Sequence, residues 1–142
     1  MNEIKLTNEI KDSLMGLLPL SNESEISYTP EAYKDVPEEY RPIFKVRPFT
    51  KAEETIVKRH ISSDDKISGE EKTYESVRKC LIGWENLIDL GSNSIIEYKA
   101  HEKGGCEKEL FHRLPSLIIA DLFLYIGKIS GLLDLEKRGL QS

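Results

Sequence analysis

The stretch Cys80–Leu90, "CLIGWENLIDL", holds the single tryptophan of the chain, and its reading sets the fold. Upstream of it, Tyr74, Val77 and Leu81 recur at three and four residues and Trp84 continues the series, so the spacing predicts a helix over 70–82. Gly83 reads as the stop of that helix, because glycine accepts the left-handed conformation of a C-cap. Trp84 is then a packing anchor where the chain leaves the helix, with its ring lying back over Tyr74, Val77 or Leu81. Downstream, "NLIDLGSNSIIEY" reads as a small hairpin at about 86–98, turning through Gly91, Ser92 and Asn93.

Before that helix the chain reads "RPIFKVRPFTKAEE". Phe44 and Val46 alternate with Lys45 and Arg47, which predicts a strand over 43–49. Pro42 and Pro48 bound it, which predicts an edge strand or extended arm rather than a central strand. Thr50 then opens a helix to about Ile61. Its hydroxyl and the Glu53 carboxylate form a capping box, and Ala52, Ile56 and Val57 face inward. Ser62 to Gly69 reads as a loop.

Nearer the N-terminus, Ile10, Leu14, Leu17 and Leu18 have helical spacing, ended by Pro19. "EISYT" has the composition of a short strand, and "PEAYKDVPEEYRP" reads as an irregular connection with little core of its own. Beyond the hairpin, 106–114 reads as a short helix, and Pro115 suits the first turn of a long one running to about Leu133. The expected fold is mainly α (α+β): one domain over 1–142, a helical core over 43–142 carrying the small hairpin, preceded by an N-terminal helix and irregular arm over 1–42.

Length and charge narrow the class. A chain of 142 residues buries about two-thirds of its unfolded surface, so it folds without disulfides or metals. The net charge of −5 comes with no basic stripe, which argues against nucleic acid as a partner. Cys80 and Cys106 form no framework, so a reduced cytosolic protein is expected. The N-terminus lacks a basic segment followed by a clean apolar run and does not read as a signal peptide. Leu114–Leu133 is the one stretch long enough to suggest a membrane span. Asp121 and Lys128 interrupt it, and it reads as the buried helix of a soluble protein.

Chemistry is sparse. No Walker loop, dinucleotide fingerprint, nucleophile elbow or zincin motif occurs. His101, Cys106, His112 and Cys80 match no zinc spacing. The acid pairs Asp64–Asp65, Glu53–Glu54 and Glu38–Glu39 sit at helix starts or in loops, as solvated acids do, and Glu85 reads as a solvent-facing acid in a turn. Lys51, Lys58 and Arg59 share a helix face with acids and make no phosphate cradle. No catalytic residue, cofactor or metal is expected, and Trp84, Gly83, Thr50 and Glu53 are assigned structural roles.

The last helix is the informative element. Projected at about 100° per residue, Ile118, Ile119, Leu122, Phe123, Ile126, Ile129 and Leu133 form a broad apolar face. Ser116, Ala120, Gly127 and Gly131 form a face of small side chains. Leu117, Leu124, Tyr125 and Leu132 flank Asp121 and Lys128 on a third. Either the helix is central in one domain, or it carries an association surface. In the second case the contacts are Leu117, Ala120, Leu124, Gly127, Gly131 and Leu132.

Three stretches together, "FKVRPFT", "IGWENLID" and 114–140, resemble the tail assembly chaperones of long-tailed bacteriophages. Members of that family often show a strand-like F-x-L-R-x-L-(S/T) stretch before a helix and a helix closing on (V/I)-G-W-(E/K). A turn, a short strand and a terminal helix then follow. The resemblance implies a non-enzymatic, largely helical, self-associating protein in the cytoplasm of the bacterial host. Such a protein binds the phage tape measure protein, while a frameshifted extension recruits tail tube subunits. It implies no nucleic acid or membrane partner. Outside the resemblance, a virion connector or a small acidic inhibitor of a host defence system are the alternative readings.

Overall fold

The computed structural model describes residues 4–14, 17, 24–62 and 66–132, without the side chains of 60–70. The expected helix ends at Leu18 and Leu133, the acids Asp64 and Asp65, and the resemblance beyond 132 lie outside the described residues.

The element order is α1 (Asn8–Leu14), β1 (Ile26–Tyr28), two 3₁₀ turns (Glu31–Tyr33 and Glu38–Tyr40), β2 (Ile43–Val46), α2 (Lys51–Ser62), α3 (Lys66–Cys80), β3 (Leu81–Glu85), β4 (Ile88–Asp89), β5 (Ser94–Ile95), α4 (Lys108–His112) and α5 (Ser116–Ile129). This is a mixed α+β fold and not the mainly helical one that periodicity predicts. Its centre is a three-stranded antiparallel sheet in the order β1-β2-β3, with α2 laid along α3 and α5 packed on α3. The expected hairpin is present as β4 and β5 but is shorter, pairing Ile88 with Ile95 and Asp89 with Ser94.

Three readings are corrected by that sheet. First, 81–85 is a strand, and α3 ends at Cys80 with no intervening loop. The register pairs Phe44 with Trp84, Lys45 with Gly83 and Val46 with Leu81, which leaves Ile82 as the extra residue of a bulge. A bulge lets two strand residues three apart face the same side. Leu81 and Trp84 both point into the core for this reason, and their spacing imitates a helix. Second, Gly83 is not a left-handed cap but sits in mid-strand under Lys45, where an added Cβ would lie 3.3 Å from Lys45 Cδ. Lys45 crosses this position to reach Glu85 at 3.2 Å and Glu25 at 3.9 Å. Third, β2 is the central strand rather than an edge. Pro42 and Pro48 fall outside Ile43–Val46, so neither removes a ladder bond.

From the strand, Trp84 packs against two other rings. Its ring meets Phe44 edge-on at 6.3 Å and Tyr98 at 5.1 Å, and its indole N–H donates to the Ile96 carbonyl at 2.8 Å. That bond ties the second sheet to the first. The loop 99–107 is held against the end of α3. Cys106 N donates to Arg78 O at 3.0 Å, and the buried Arg78 guanidinium returns a bond to Cys106 O at 2.6 Å. One of the carbonyls that a helix leaves free at its C-terminus is satisfied in this way.

The capping box of α2 forms in both directions, with Glu53 N to Thr50 Oγ1 at 3.2 Å and Thr50 N to Glu53 Oε1 at 2.8 Å. The inward face of α2 differs from the expected one. Val57 is buried, but Ala52 is exposed and Glu53 and Glu54 are buried. The cause is Arg47, whose guanidinium meets Glu53 at 2.9 and 3.1 Å. Burial pushes the Glu53 carboxyl up, but the bonds from Arg47 and Thr50 outweigh it and hold the group below the usual carboxylate range. Lys66–Gly69, expected in a loop, belong to α3.

Gly105 has φ +77°, and a Cβ there would lie 2.5 Å from Lys79 Cα. Gly104 has φ +99° and open space around it. Gly104→Ala is expected to cost about 1–2 kcal/mol, from backbone strain alone. Gly105→Ala is expected to cost at least about 3 kcal/mol in urea unfolding, because overpacking adds to the strain. Glu53→Gln leaves Arg47 without its counter-charge and is expected to lower stability at pH 7 by about 3 kcal/mol. The folded carboxyl is depressed, so the wild-type advantage is full above the unfolded value of about 4.3 and shrinks as pH falls from there through the folded value. Denaturation midpoints of the two proteins measured from pH 7 to pH 3 should therefore converge.

Candidate functional site

Among the described residues, two histidines and both cysteines are engaged or buried by the fold. His101 Nδ1 accepts from Lys103 N at 3.0 Å inside its own loop, and His112 Nδ1 lies 2.8 Å from the Tyr74 hydroxyl. Cys80 and Cys106 are fully buried. Burial pushes the Cys80 thiol far up, and the Glu53 carboxylate adds to it. Burial likewise pushes the Cys106 thiol up to about 12. Among the described residues, no group of three His, Cys, Asp or Glu side chains is placed to hold a metal ion.

Surfaces offer more. Of the expected inner face of α5, Ile118, Leu122, Ile126 and Ile129 are buried and Ile119 and Phe123 half-buried, while Leu133 lies outside the described residues. The six residues expected as partner contacts divide. Leu117 and Leu124 are 69% and 52% exposed, and Ala120 lies exposed between them. Gly127 and Leu132 are buried within the chain itself. Gly131, at φ +83°, follows the helix end, its N–H donating to Lys128 O at 3.1 Å. The outer stripe thus has two leucines two turns apart with a small residue between them. A large side chain at Gly131 would test backbone strain rather than association.

The third face of α5 has an internal use. Tyr125 stacks on Tyr28 of β1, ring centroids 3.7 Å apart and 8° from parallel. The Tyr28 hydroxyl donates a short hydrogen bond to Asp121. Burial, then Asp121, drives the Tyr28 phenol well above its ordinary range, so it remains a donor at all working pH. Part of the apolar excess on α5 therefore serves to seat the arm. The small face, through Ser116 and Ala120, borders a shallow groove of ≈ 520 Å³ between α3 and α5. Thr73 Oγ1 is buried at that groove and has no hydrogen-bond partner among the described residues.

A second cleft, larger than that groove, lies elsewhere. It has ≈ 680 Å³ and lies between the 3₁₀ turns of the arm, the β4–β5 hairpin and the α4–α5 junction. Tyr33, Tyr40, Leu87, Leu90, Leu110 and Leu114 give it an apolar lining. Arg113 stands in it, one nitrogen 3.2 Å from Asp89. No local pattern reveals this cleft, because its walls come from three segments that are distant in sequence. The sequence signal that points to it is the run of tyrosines and prolines in "PEAYKDVPEEYRP", a stretch that reads as having little core of its own.

No described helix is long and apolar enough to cross a membrane. Comparison of the chain with protein-family models, with curated proteins and with solved structures finds no match.

The cysteine environment gives a direct check of the packing. In native buffer at pH 8, a disulfide exchange reagent is expected to react with neither thiol within minutes, since both are buried and protonated. In denaturant it should titrate both. Rapid reaction of Cys106 in the native state would mean that the loop 99–107 does not seal the end of α3.

Proposed function

We propose that the chain is a non-enzymatic tail assembly chaperone of a long-tailed phage. In the cytoplasm of the bacterial host it binds the tape measure protein and, through a longer product, tail tube subunits. The resemblance of "FKVRPFT" and "IGWENLID" to that family supplies the identity of the partners. The observation that carries the binding role is the outer stripe of α5. Leu117 and Leu124 stay in solvent on a helix whose opposite face is the core. Leucines seven residues apart on one helix, beside a shallow groove, form the anchor pattern by which an amphipathic helix is recognised.

The test is co-expression of the chain with a tagged tape measure protein, comparing wild type with the double variant Leu117→Glu/Leu124→Glu. Both positions are exposed, so the melting temperature should stay within about 3 °C of wild type. Capture should fall at least tenfold. Undiminished capture by the variant would move the contact off α5. Failure of the wild type to bind, or its presence in stoichiometric amounts in purified particles, would overturn the chaperone reading.

A further inference from the structure

We infer that the cleft beneath the β4–β5 hairpin receives the N-terminal segment, Ile4–Leu14, of a second copy of this chain. The association stands whether or not the chain is a phage chaperone.

The cleft is built before anything enters it. Arg41 holds one wall by donating Nε–H to Val36 O at 2.6 Å and Nη2–H to Lys34 O at 2.8 Å. Asn86 ties that wall to the hairpin by donating to the carbonyls of Glu39 and Arg41 at 2.8 and 3.2 Å. The Asp89 carboxylate is occupied by Gly91 N, Ser92 Oγ and Arg113. The hydrogen-bonding side chains Asn86 and Asp89 are thus already engaged, and the open surface is apolar. A fixed wall loses little freedom on binding, which favours an occupant. Arg113 is half exposed and has one nitrogen engaged by Asp89, so its remaining N–H groups favour an occupant with a carboxylate. The exposed acids Glu38 and Glu39 on the 3₁₀ turn favour one with lysines as well.

The N-terminal segment has that chemistry. Ile4 and Ile10 are 82% and 46% exposed, and α1 buries none of its residues. It carries the acids Glu9 and Asp12 and the bases Lys5 and Lys11. A helix of seven residues does not hold itself together in water, so its apolar stripe calls for a surface. At the rim of the cleft, Leu90 is 87% exposed, the counterpart of that stripe. The segment does not occupy the cleft of its own chain. None of residues 4–14 is among the residues that line it. Reciprocal insertion closes a dimer, and one-way insertion makes an open chain.

The experiment uses the full chain with Ile10→Arg and, separately, Leu90→Arg. Both residues are outside the core, and circular dichroism should report the wild-type fold for each. Sedimentation velocity up to about 200 µM should show wild-type association and each single variant at least tenfold weaker. An equimolar mixture of the two variants should recover a dimer, because it restores one intact segment facing one intact cleft. A monomeric wild type, variants that associate like wild type, or a mixture that stays monomeric would each overturn the inference. Tape measure capture by Leu90→Arg should be unchanged, so this outcome separates from that of the α5 variants.

Discussion

The hydrogen bond from Arg47 N to Cys80 O, 3.0 Å long, fixes the point where α3 becomes β3. With no loop between Cys80 and Leu81, the direction of the helix determines where the strand starts. The Arg47 side chain then secures the same place from outside the sheet, reaching Glu53, Pro48 O and the Cys80 sulfur. Glu53 is at once the N3 residue of the α2 capping box and the partner of Arg47. One buried ion pair thereby aligns the end of β2, the start of α2 and the end of α3. Such a pair is weak evidence for net stability, because desolvation offsets most of its attraction. Its use here is to set register: without it, Val46 and Leu81 have less to hold them opposite each other across the bulge.

From that junction the remaining elements attach in order. β3 carries Trp84, whose indole N–H fastens the hairpin region through Ile96 O. β2 carries β1, and β1 carries Tyr28, which stacks on Tyr125 and donates to Asp121 of α5. The arm that reads as irregular in sequence is therefore the part that joins the sheet to the last helix. Its prolines contribute directly, since Pro30 and Pro42 are buried and Thr29 Oγ1 donates to Pro42 O at 3.0 Å.

What was legible in the sequence was local chemistry. The Thr50–Glu53 box, the alternation of Phe44 and Val46, a short strand within "EISYT" and most of the inner face of α5 each depend on neighbours within a few residues, and each is found. What was not legible depends on pairing across the chain. Leu81 and Trp84 fit a helix and a bulged strand equally well by spacing, and only the partner strand decides between them. Glu53 reads as a solvated acid until Arg47 is opposite it. The same limit applies to surfaces. The α5 stripe could be projected from one helix, although Gly127 and Leu132 turned out to be interior. The cleft, with walls from three separate segments, could not.

The distribution of apolar exposure separates two kinds of surface on this chain. Leu117 and Leu124 belong to a helix fixed by its own core, so whatever they meet is met by a rigid face. Ile4 and Ile10 belong to a segment with no buried residue, so what they meet must itself provide order. A rigid stripe discriminates partners by shape, whereas an unburied segment gains structure only on contact. Wherever the segment docks, it pays the ordering entropy at that moment, and its affinity is low for the area it covers. A contact of that kind is weak for its area, whereas a contact made by the preformed face of α5 carries no such cost.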